Sequence, residues 1–151
     1  MKVVIQRVRS ANVAVDEQIV SEIGNGIVLL WGVKKGDSFE DADNIINKIG
    51  NLRIFSDDSN KMNKSIKEIE GEILLVSQFT LLANTSKGNR PSFIDAETPD
   101  LAAEMIKYCA NKLSKFSTVK EGIFGANMKV SIENDGPVTI VLESENGKLQ
   151  N

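Results

Sequence analysis

Residues 72–80, with the sequence EILLVSQFT, join an apolar run to a polar end. A run of apolar residues without polar alternation predicts a strand that is covered on both faces. A second run of the same kind extends from Ile27 to Val33 and predicts a central strand. The centre of the fold is therefore expected to be a sheet with elements packed on both of its faces.

Two segments show the apolar spacing of three and four residues that predicts amphipathic helices. The first covers residues 38–50, with Asp37 or Ser38 as its N-cap. The second starts at Thr98-Pro99-Asp100, with Thr98 as N-cap and proline at the first helical position. The expected buried face of the second helix consists of Leu101, Met105, Ile106, Cys109, Leu113 and Phe116.

Shorter strands are expected on either side of these elements. They cover residues 3–8 with an irregular continuation to residue 15, and residues 19–23, 52–55, 127–133 and 138–143. Together the pattern predicts an α+β fold, a small, mostly antiparallel, barrel-like sheet with two packed helices. We expect one domain over residues 1–143, followed by a loose polar tail over residues 144–151.

The composition excludes several kinds of catalytic site. The chain of 151 residues contains no histidine and one cysteine, Cys109, which is expected in the core. A Ser-His-Asp triad, a Cys-His pair and a cysteine-based zinc site are thus excluded, and no metal or cofactor is expected. The formal net charge of −3 argues against a protein that coats a duplex, but not against one that grips a short RNA end. Without a signal peptide or a membrane-length apolar run, a cytoplasmic protein is expected.

Two polar segments are candidate sites, and each also has an ordinary structural explanation. Ser77, Gln78, Phe79 and Thr80 either face a pocket mouth or simply end a strand in solvent. Residues 134–139, NDGPVT, either form a hairpin turn or, if the bond before Pro137 is cis, a rigid element that presents backbone carbonyls. Lysines 61, 64 and 67, with Lys87 and Arg90, are either a basic rim or scattered surface charge.

Taken together, these segments resemble the D-aminoacyl-tRNA deacylase family, formerly called D-tyrosyl-tRNA deacylases. Residues 77–80 match one short motif of that family, and the Gly136-Pro137 pair matches the other. Asn127 stands where the family has aspartate, and the residues after Ser144 are an extension. Supporting matches occur in family order at Gln6-Arg7-Val8, Arg53-Ile54-Phe55, Lys61-Met62-Asn63, Gly88 to Phe93 and Phe124 to Met128.

The resemblance implies a homodimer whose active site lies at the subunit interface and receives the 3′ end of an aminoacyl-tRNA. A cis Gly136-Pro137 bond would enter the pocket of the partner and exclude L-amino acids, with Arg7 holding it in place. Phe79 and Thr80 would line the scissile ester. The terminal adenosine would contact Phe124, Gly125, Ala126 and Met128, and no membrane or DNA is an expected partner.

Substrate-assisted hydrolysis, in which backbone N–H groups stabilise the developing negative charge, fits a chain without histidine. The resemblance therefore predicts cleavage of D-aminoacyl-tRNA, and of glycyl-tRNA as well. A covalent role for Thr80 is the rival mechanism. It is less favoured, because it would need a general base and the sequence supplies no obvious one. Two rival classes are a small β-barrel that binds RNA without catalysis and a dimerisation module. The first is disfavoured by 5% aromatic residues and an acidic charge.

Overall fold

The sheet is built around one long strand, β1, at Lys2–Val15. The computed structural model describes residues 1–150. A 3₁₀ turn, Phe79–Leu82, follows β6. The other elements are β2 Gln18–Ile23, β3 Gly26–Gly32, α1 Phe39–Asn51, β4 Phe55–Ser56, β5 Met62–Lys64, β6 Glu72–Ser77, α2 Pro99–Leu113, β7 Thr118–Glu121, β8 Lys129–Glu145 and β9 Lys148–Leu149.

The main sheet has the order β7-β6-β3-β1-β8-β9, and β2 pairs with the second half of β1. The β3–β6 and β6–β7 pairs are parallel, and the other pairs of this sheet are antiparallel. Strands β4 and β5 form a separate two-stranded sheet. The predicted α+β class is confirmed, as are the mostly antiparallel sheet and, within residues 1–150, the two helices.

The central strands separate two apolar clusters. Leu29 of β3 and Leu75 of β6 lie in the larger cluster, which includes the buried faces of α1 and α2. Val28 and Leu74, their neighbours in sequence, face the other way and pack with Val13 of β1. Because the second half of β1 and the first half of β8 cover this second face, the sheet curls into a half-barrel.

The pairing of β3 with β6 brings the backbones of the two strands into close contact. Gly26 pairs with Glu72, and Trp31 pairs with Ser77. A Cβ atom on Gly26 would lie 1.9 Å from the carbonyl oxygen of Glu72. The two backbones therefore approach closely at the start of β3, and this contact fixes where the end of β6 emerges.

Both helix starts agree with the sequence prediction. Ser38 is the N-cap of α1 and forms a capping box with Asp41, and Pro99 begins α2 after Thr98. Leu101 was predicted on the buried face of α2, but it is 55% exposed. The apolar stripe is centred on Ala102, Ile106 and Cys109, so Leu101 lies at its solvent edge. Neither helix within residues 1–150 is long and apolar enough to cross a membrane.

Several strand predictions were wrong. The expected strand over residues 52–55 is limited to Phe55–Ser56, and β5 and β7 were not predicted. Strand β6 ends at Ser77, since Phe79 and Thr80 belong to the 3₁₀ turn. The two expected final strands are one strand, β8, which pairs with β1 before and after residues 135–138. The predicted hairpin turn is thus an interruption within a single strand.

Residues 144–150 are folded rather than loose, and Asn151 lies outside the described residues. Ser144 is buried, and its hydroxyl donates to the Asp41 carboxylate at 2.7 Å. The backbone N–H of Gly147 donates to the same carboxylate at 2.9 Å. Burial raises the pKa of Asp41, but these bonds and those from Ser38 outweigh it and lower the pKa to about 2. The C-terminal hairpin of β8 and β9 is therefore attached to the start of α1.

Candidate active site

The motif at residues 77–80 occupies the point where β6 leaves the sheet. The N–H of Gln78 donates to the carbonyl of Trp31 at 2.8 Å, which continues the β3–β6 pairing by one residue. The chain then turns, and the first hydrogen bond of the 3₁₀ turn runs from the N–H of Leu81 to the carbonyl of Gln78. The N–H groups of Phe79 and Thr80 precede that bond, in the part of a helical turn where donors lack internal partners.

The side chains of this motif differ in exposure. Phe79 is 56% exposed, Thr80 is exposed, and Ser77 and Gln78 are partly buried. The side-chain amide of Gln78 donates a hydrogen bond to the hydroxyl of Thr80. This bond orients the Thr80 hydroxyl, but an amide cannot accept its proton as a general base.

A cleft of about 570 Å³ opens beside the motif. Its walls are the ends of β3 and β6, residues 77–79, the first half of α2 with the segment before it, and residues 124–128. The structure thus brings Ser77, Gln78 and Phe79 together with Phe124, Gly125, Ala126 and Met128, as the resemblance implies. Thr80 is not part of the lining and lies one residue beyond it.

Backbone contacts hold residues 124–128 against β6. The N–H of Gly122 donates to the carbonyl of Leu75 at 2.9 Å, which attaches this segment two residues before Ser77. The N–H of Ala126 donates to the carbonyl of Ile123 at 3.2 Å and closes a turn, in which Gly125 has a φ of +75°. The two walls of the cleft are therefore fixed to the same strand.

The cleft surface is mainly apolar and aromatic. The rings of Phe79 and Phe93 meet edge to face, with centroids 5.0 Å apart. Phe124, 39% exposed, adds a third aromatic ring to the walls. Glu97 is the one ionisable side chain among the described residues that line the cleft. Such a surface suits a flat, mostly uncharged ligand with a few directional polar groups.

The Gly136-Pro137 pair lies in an excursion of β8. Gln6 pairs with Thr139 and Val8 with Asn134, so residues 135–138 bulge out opposite Arg7. The Gly136-Pro137 peptide bond is cis, and both residues are exposed.

Arg7 supports this excursion from below. It is 9% exposed, and its Nε donates to the carbonyl of Asp135 at 3.1 Å. Its Nη1 donates to the carbonyl of Ile54 at 2.5 Å, and its Nε lies 3.3 Å from the Asp135 carboxylate. Arg9 contacts the other oxygen of that carboxylate at 3.3 Å. The backbone before Gly136 is thus held by two arginines on β1.

The two motifs do not meet within one chain. The lining of the cleft includes neither Arg7 nor the Gly136-Pro137 pair. The excursion instead projects into solvent from β8. A site that needs both elements would have to combine two copies of the chain.

Several other side chains that the sequence offers as site candidates are buried or have partners outside the cleft. Burial raises the pKa of the Cys109 thiol well above its ordinary value, which fits a core residue rather than a nucleophile. Lys64 forms an ion pair with Asp58 at 3.0 Å, and Lys67 lies over the ring of Phe116. Within residues 1–150, no three histidine, cysteine, aspartate or glutamate side chains are arranged to hold a metal ion.

Comparison with known proteins identifies the family. A family model described as D-Tyr-tRNA(Tyr) deacylase matches residues 4–143. The chain belongs to this family of deacylases. The resemblance inferred from the motifs is confirmed, and with it the expectation of a hydrolase. A D-aminoacyl-tRNA deacylase from Persephonella marina is 51% identical to this deacylase over 145 residues, which cover 96% of this chain and 99% of that one.

Solved structures resemble the deacylase over almost its whole length. One, titled c-Myc DNA Unwinding Element Binding Protein, is 43% identical and superposes with a TM-score of 0.91, covering 96% of this chain and 99% of the other. A probable eukaryotic D-amino acid tRNA deacylase is 18% identical, with a TM-score of 0.77, covering 93% of this chain and 97% of the other. This second likeness shows the fold alone.

Trp31 and Glu97 are among the lining residues of the deacylase that sequence reasoning did not predict as site residues. Trp31 lies inside an apolar strand, where its type indicates only core packing. Glu97 directly precedes the Thr98-Pro99 helix start and belongs to no recognised motif. Only the position of α2 against the end of β3 reveals that both face the cleft.

Proposed function

We propose that the protein hydrolyses the ester of D-aminoacyl-tRNA, and of glycyl-tRNA, and rejects L-aminoacyl-tRNA. The observation that carries the proposal is the cleft itself, where residues 77–79 meet residues 124–128 in a chain of this family. The 3′-terminal adenosine would lie against Phe124, Gly125, Ala126 and Met128. The aminoacyl ester would then reach the exposed turn at Phe79 and Thr80.

The chemistry proceeds by attack of water on the ester carbonyl carbon. The carbonyl oxygen gains negative charge, which the N–H groups of Phe79 and Thr80 are placed to stabilise at the start of the 3₁₀ turn. The free hydroxyl of the terminal ribose orients the water and takes part in proton transfer. The bond to the ribose oxygen then breaks, that oxygen is protonated, and the free amino acid and tRNA leave. Neither a cofactor nor a metal is required.

A covalent role for Thr80 is less well supported. Its hydroxyl is hydrogen-bonded to the side-chain amide of Gln78, and this partner is a donor. A hydroxyl nucleophile needs a neighbouring base, such as a carboxylate, amine or imidazole. Glu97, the ionisable side chain of the cleft lining, is bonded through Oε1 to the N–H of Thr98 rather than to Thr80.

We further propose that the active unit is a homodimer, in which Gly136-Pro137 of one subunit closes the cleft of the other. Three features support this arrangement. The pair is exposed, Arg7 and Arg9 hold the excursion that carries it, and the cleft of the same chain lacks it. A backbone wall of this kind blocks a side chain in the L configuration, whereas glycine has none to block. We place the enzyme in the cytoplasm, with no membrane or DNA as partner.

The activity is tested by incubating the protein with D-tyrosyl-tRNA and L-tyrosyl-tRNA and measuring release of each amino acid. Release of D-tyrosine alone supports the proposal. Binding of both without release indicates the non-catalytic RNA-binding alternative, and absence of both binding and release indicates a dimerisation module.

The shared site is tested by mixing two variants with different expected defects, Phe79→Ala, in which the cleft is altered and turnover falls, and Gly136→Ala, in which the wall is displaced and discrimination against L-tyrosyl-tRNA falls. A mixed dimer has one site with an intact cleft from the Gly136→Ala chain and an intact wall from the Phe79→Ala chain. Selective cleavage of D-tyrosyl-tRNA should therefore return on mixing, in proportion to the mixed dimer. If both elements acted within one chain, mixing would not restore discrimination.

A further inference from the structure

The loop at residues 83–91, called the basic loop below, joins two parts of the candidate active site. Every one of its residues is exposed. It follows the 3₁₀ turn directly, and it ends just before Phe93, which lines the cleft and contacts the ring of Phe79. Two hydrogen bonds between the backbones of Asn84 and Ser92, at 2.8 and 2.9 Å, close its base. The basic loop is therefore a projection that is fixed at the rim of the cleft.

The basic loop carries two cations and no carboxylate. Lys87 and Arg90 are its charged residues, and residues 73–94 contain no aspartate or glutamate. Unlike Lys64 and Lys67 of the expected basic rim, these two side chains have no hydrogen bond, ion pair or ring contact within residues 1–150. In a chain of net charge −3, such a loop is a local region of positive potential that attracts an anion.

The α2 side of the cleft carries the opposite charge. The first two turns of α2 contain Asp100 and Glu104 and no cation, and Glu97 lines the cleft just before them. Asp95 is the nearest carboxylate to the basic loop in sequence, and Lys35, whose N–H donates to the carbonyl of Asp95 at 2.9 Å, lies beside it. A polyanion that enters the cleft is therefore repelled along α2 and attracted along the basic loop.

We infer that the basic loop binds the phosphate backbone of the RNA strand that leads into the cleft, an inference that rests on the proposed function. With the terminal adenosine in the cleft, the phosphates before it remain outside, and each carries a negative charge. Lys87 binds one phosphate as a compact ammonium group, and Arg90 binds another through two parallel N–H donors. Contacts to phosphate carry no base information, so they position the RNA end rather than select its sequence.

The test measures the affinity for deacylated tRNA at several salt concentrations, which requires no turnover. The logarithm of the association constant falls with the logarithm of the salt concentration by about 0.7 per phosphate contacted on a single strand, so two contacts contribute about 1.4 to the slope. The first variant combines Lys87→Ala with Arg90→Ala. The second combines Lys87→Arg with Arg90→Lys and conserves the charge.

Lys115→Ala is the matched control. Lys115 is also an exposed lysine, but it follows the C-terminal end of α2. A helix of this length places it about 20 Å from Pro99, at the end of α2 that lines the cleft.

We expect the alanine double variant to bind tRNA about tenfold more weakly than the wild type at about 50 mM salt, as for two exposed ion pairs. At about 200 mM salt the difference should fall below about twofold, because the two lost contacts remove about 1.4 from the slope. The charge-conserving variant and Lys115→Ala should retain the slope of the wild type.

Three results would each overturn the inference: no binding of tRNA by the wild type, an unchanged slope in the alanine double variant, or an equal loss of slope in Lys115→Ala. A loss of slope in the charge-conserving variant would also contradict it, since the number of cations is the same. Deacylation of D-tyrosyl-tRNA by the wild type is measured in parallel. Turnover with an unchanged slope in the alanine variant refutes the loop contact alone, whereas the expected slopes without turnover refute the proposed activity and leave the loop contact standing.

Discussion

Replacing Gly136 by alanine should displace the excursion of β8 while leaving the rest of the fold intact. Gly136 has a φ of +126°, which residues with a side chain rarely adopt. A Cβ atom at this position would lie 2.9 Å from Nη2 of Arg7 and 2.9 Å from Cγ2 of Val138. Arg7 cannot move aside without loss, because its other atoms donate to the carbonyls of Ile54 and Asp135.

The size of the effect follows from these contacts. Backbone strain at a position of this kind costs about 1–3 kcal/mol. Loss of one hydrogen bond of Arg7, a charged donor, adds about 1.5–3 kcal/mol. Movement of residues 135–138 relieves both costs, so the chain should remain folded with the wall out of place. If about 3 kcal/mol of discrimination is lost, the ratio of kcat/KM for D-tyrosyl-tRNA over L-tyrosyl-tRNA falls by about a hundredfold.

Steady-state deacylation of both substrates gives this ratio, and thermal unfolding shows whether the variant is folded. Gly36→Ala is the matched control, since Gly36 also has a positive φ, +85°, but a Cβ atom there would meet nothing within 4 Å beyond its chain neighbours. It should lose stability without losing discrimination. If Gly136→Ala kept the wild-type ratio, the assignment of chiral selection to this segment would be wrong.

Three further outcomes are expected. Asp41→Asn should lower the free energy of unfolding by about 2 kcal/mol at neutral pH, since the pKa of Asp41 is about 2 in the folded protein against 3.8 ordinarily. This contribution is complete above about pH 4 and is lost as the pH falls toward 2. The free energy of unfolding, measured with urea across that pH range, should therefore change less with pH in the variant than in the wild type. Thr80→Ala should lower kcat less than about tenfold, because the backbone N–H remains; loss of turnover with an unchanged KM would instead favour a covalent Thr80. Glycyl-tRNA should be cleaved at a measurable rate, and complete resistance in a release assay would contradict a steric wall.

The sequence was sufficient to predict those elements that depend only on a local pattern of residues. The apolar runs of β3 and β6 predict buried strands without reference to a partner. The starts of α1 and α2 follow from Ser38 and Pro99, which act on their own turns. The polar residues at 77–80 likewise marked the end of a buried strand, and family motifs added the segment at 124–128.

Elements that depend on distant partners were not predictable in this way. Strand β7, Thr118–Glu121, has no apolar alternation and exists because it pairs with the edge of β6. Strand β8 continues past Gly136-Pro137 because β1 pairs with it on both sides of the excursion. Ser144 reads as part of a polar tail until Asp41, more than a hundred residues earlier, is placed beside it.

The close approach of Gly26 to Glu72 has a consequence for the opposite end of the molecule. Strands β3 and β6 are apolar on both faces, so a slip of β6 by one residue would still bury only apolar side chains. The apolar pattern therefore does not determine the register of β6 against β3. The backbone contact between Gly26 and Glu72, the first residue of β6, determines it. Gly26 thus determines the position of the 3₁₀ turn at the opposite end of β6. On the proposed mechanism, a residue that contacts no substrate thereby determines where the N–H groups of Phe79 and Thr80 meet the ester.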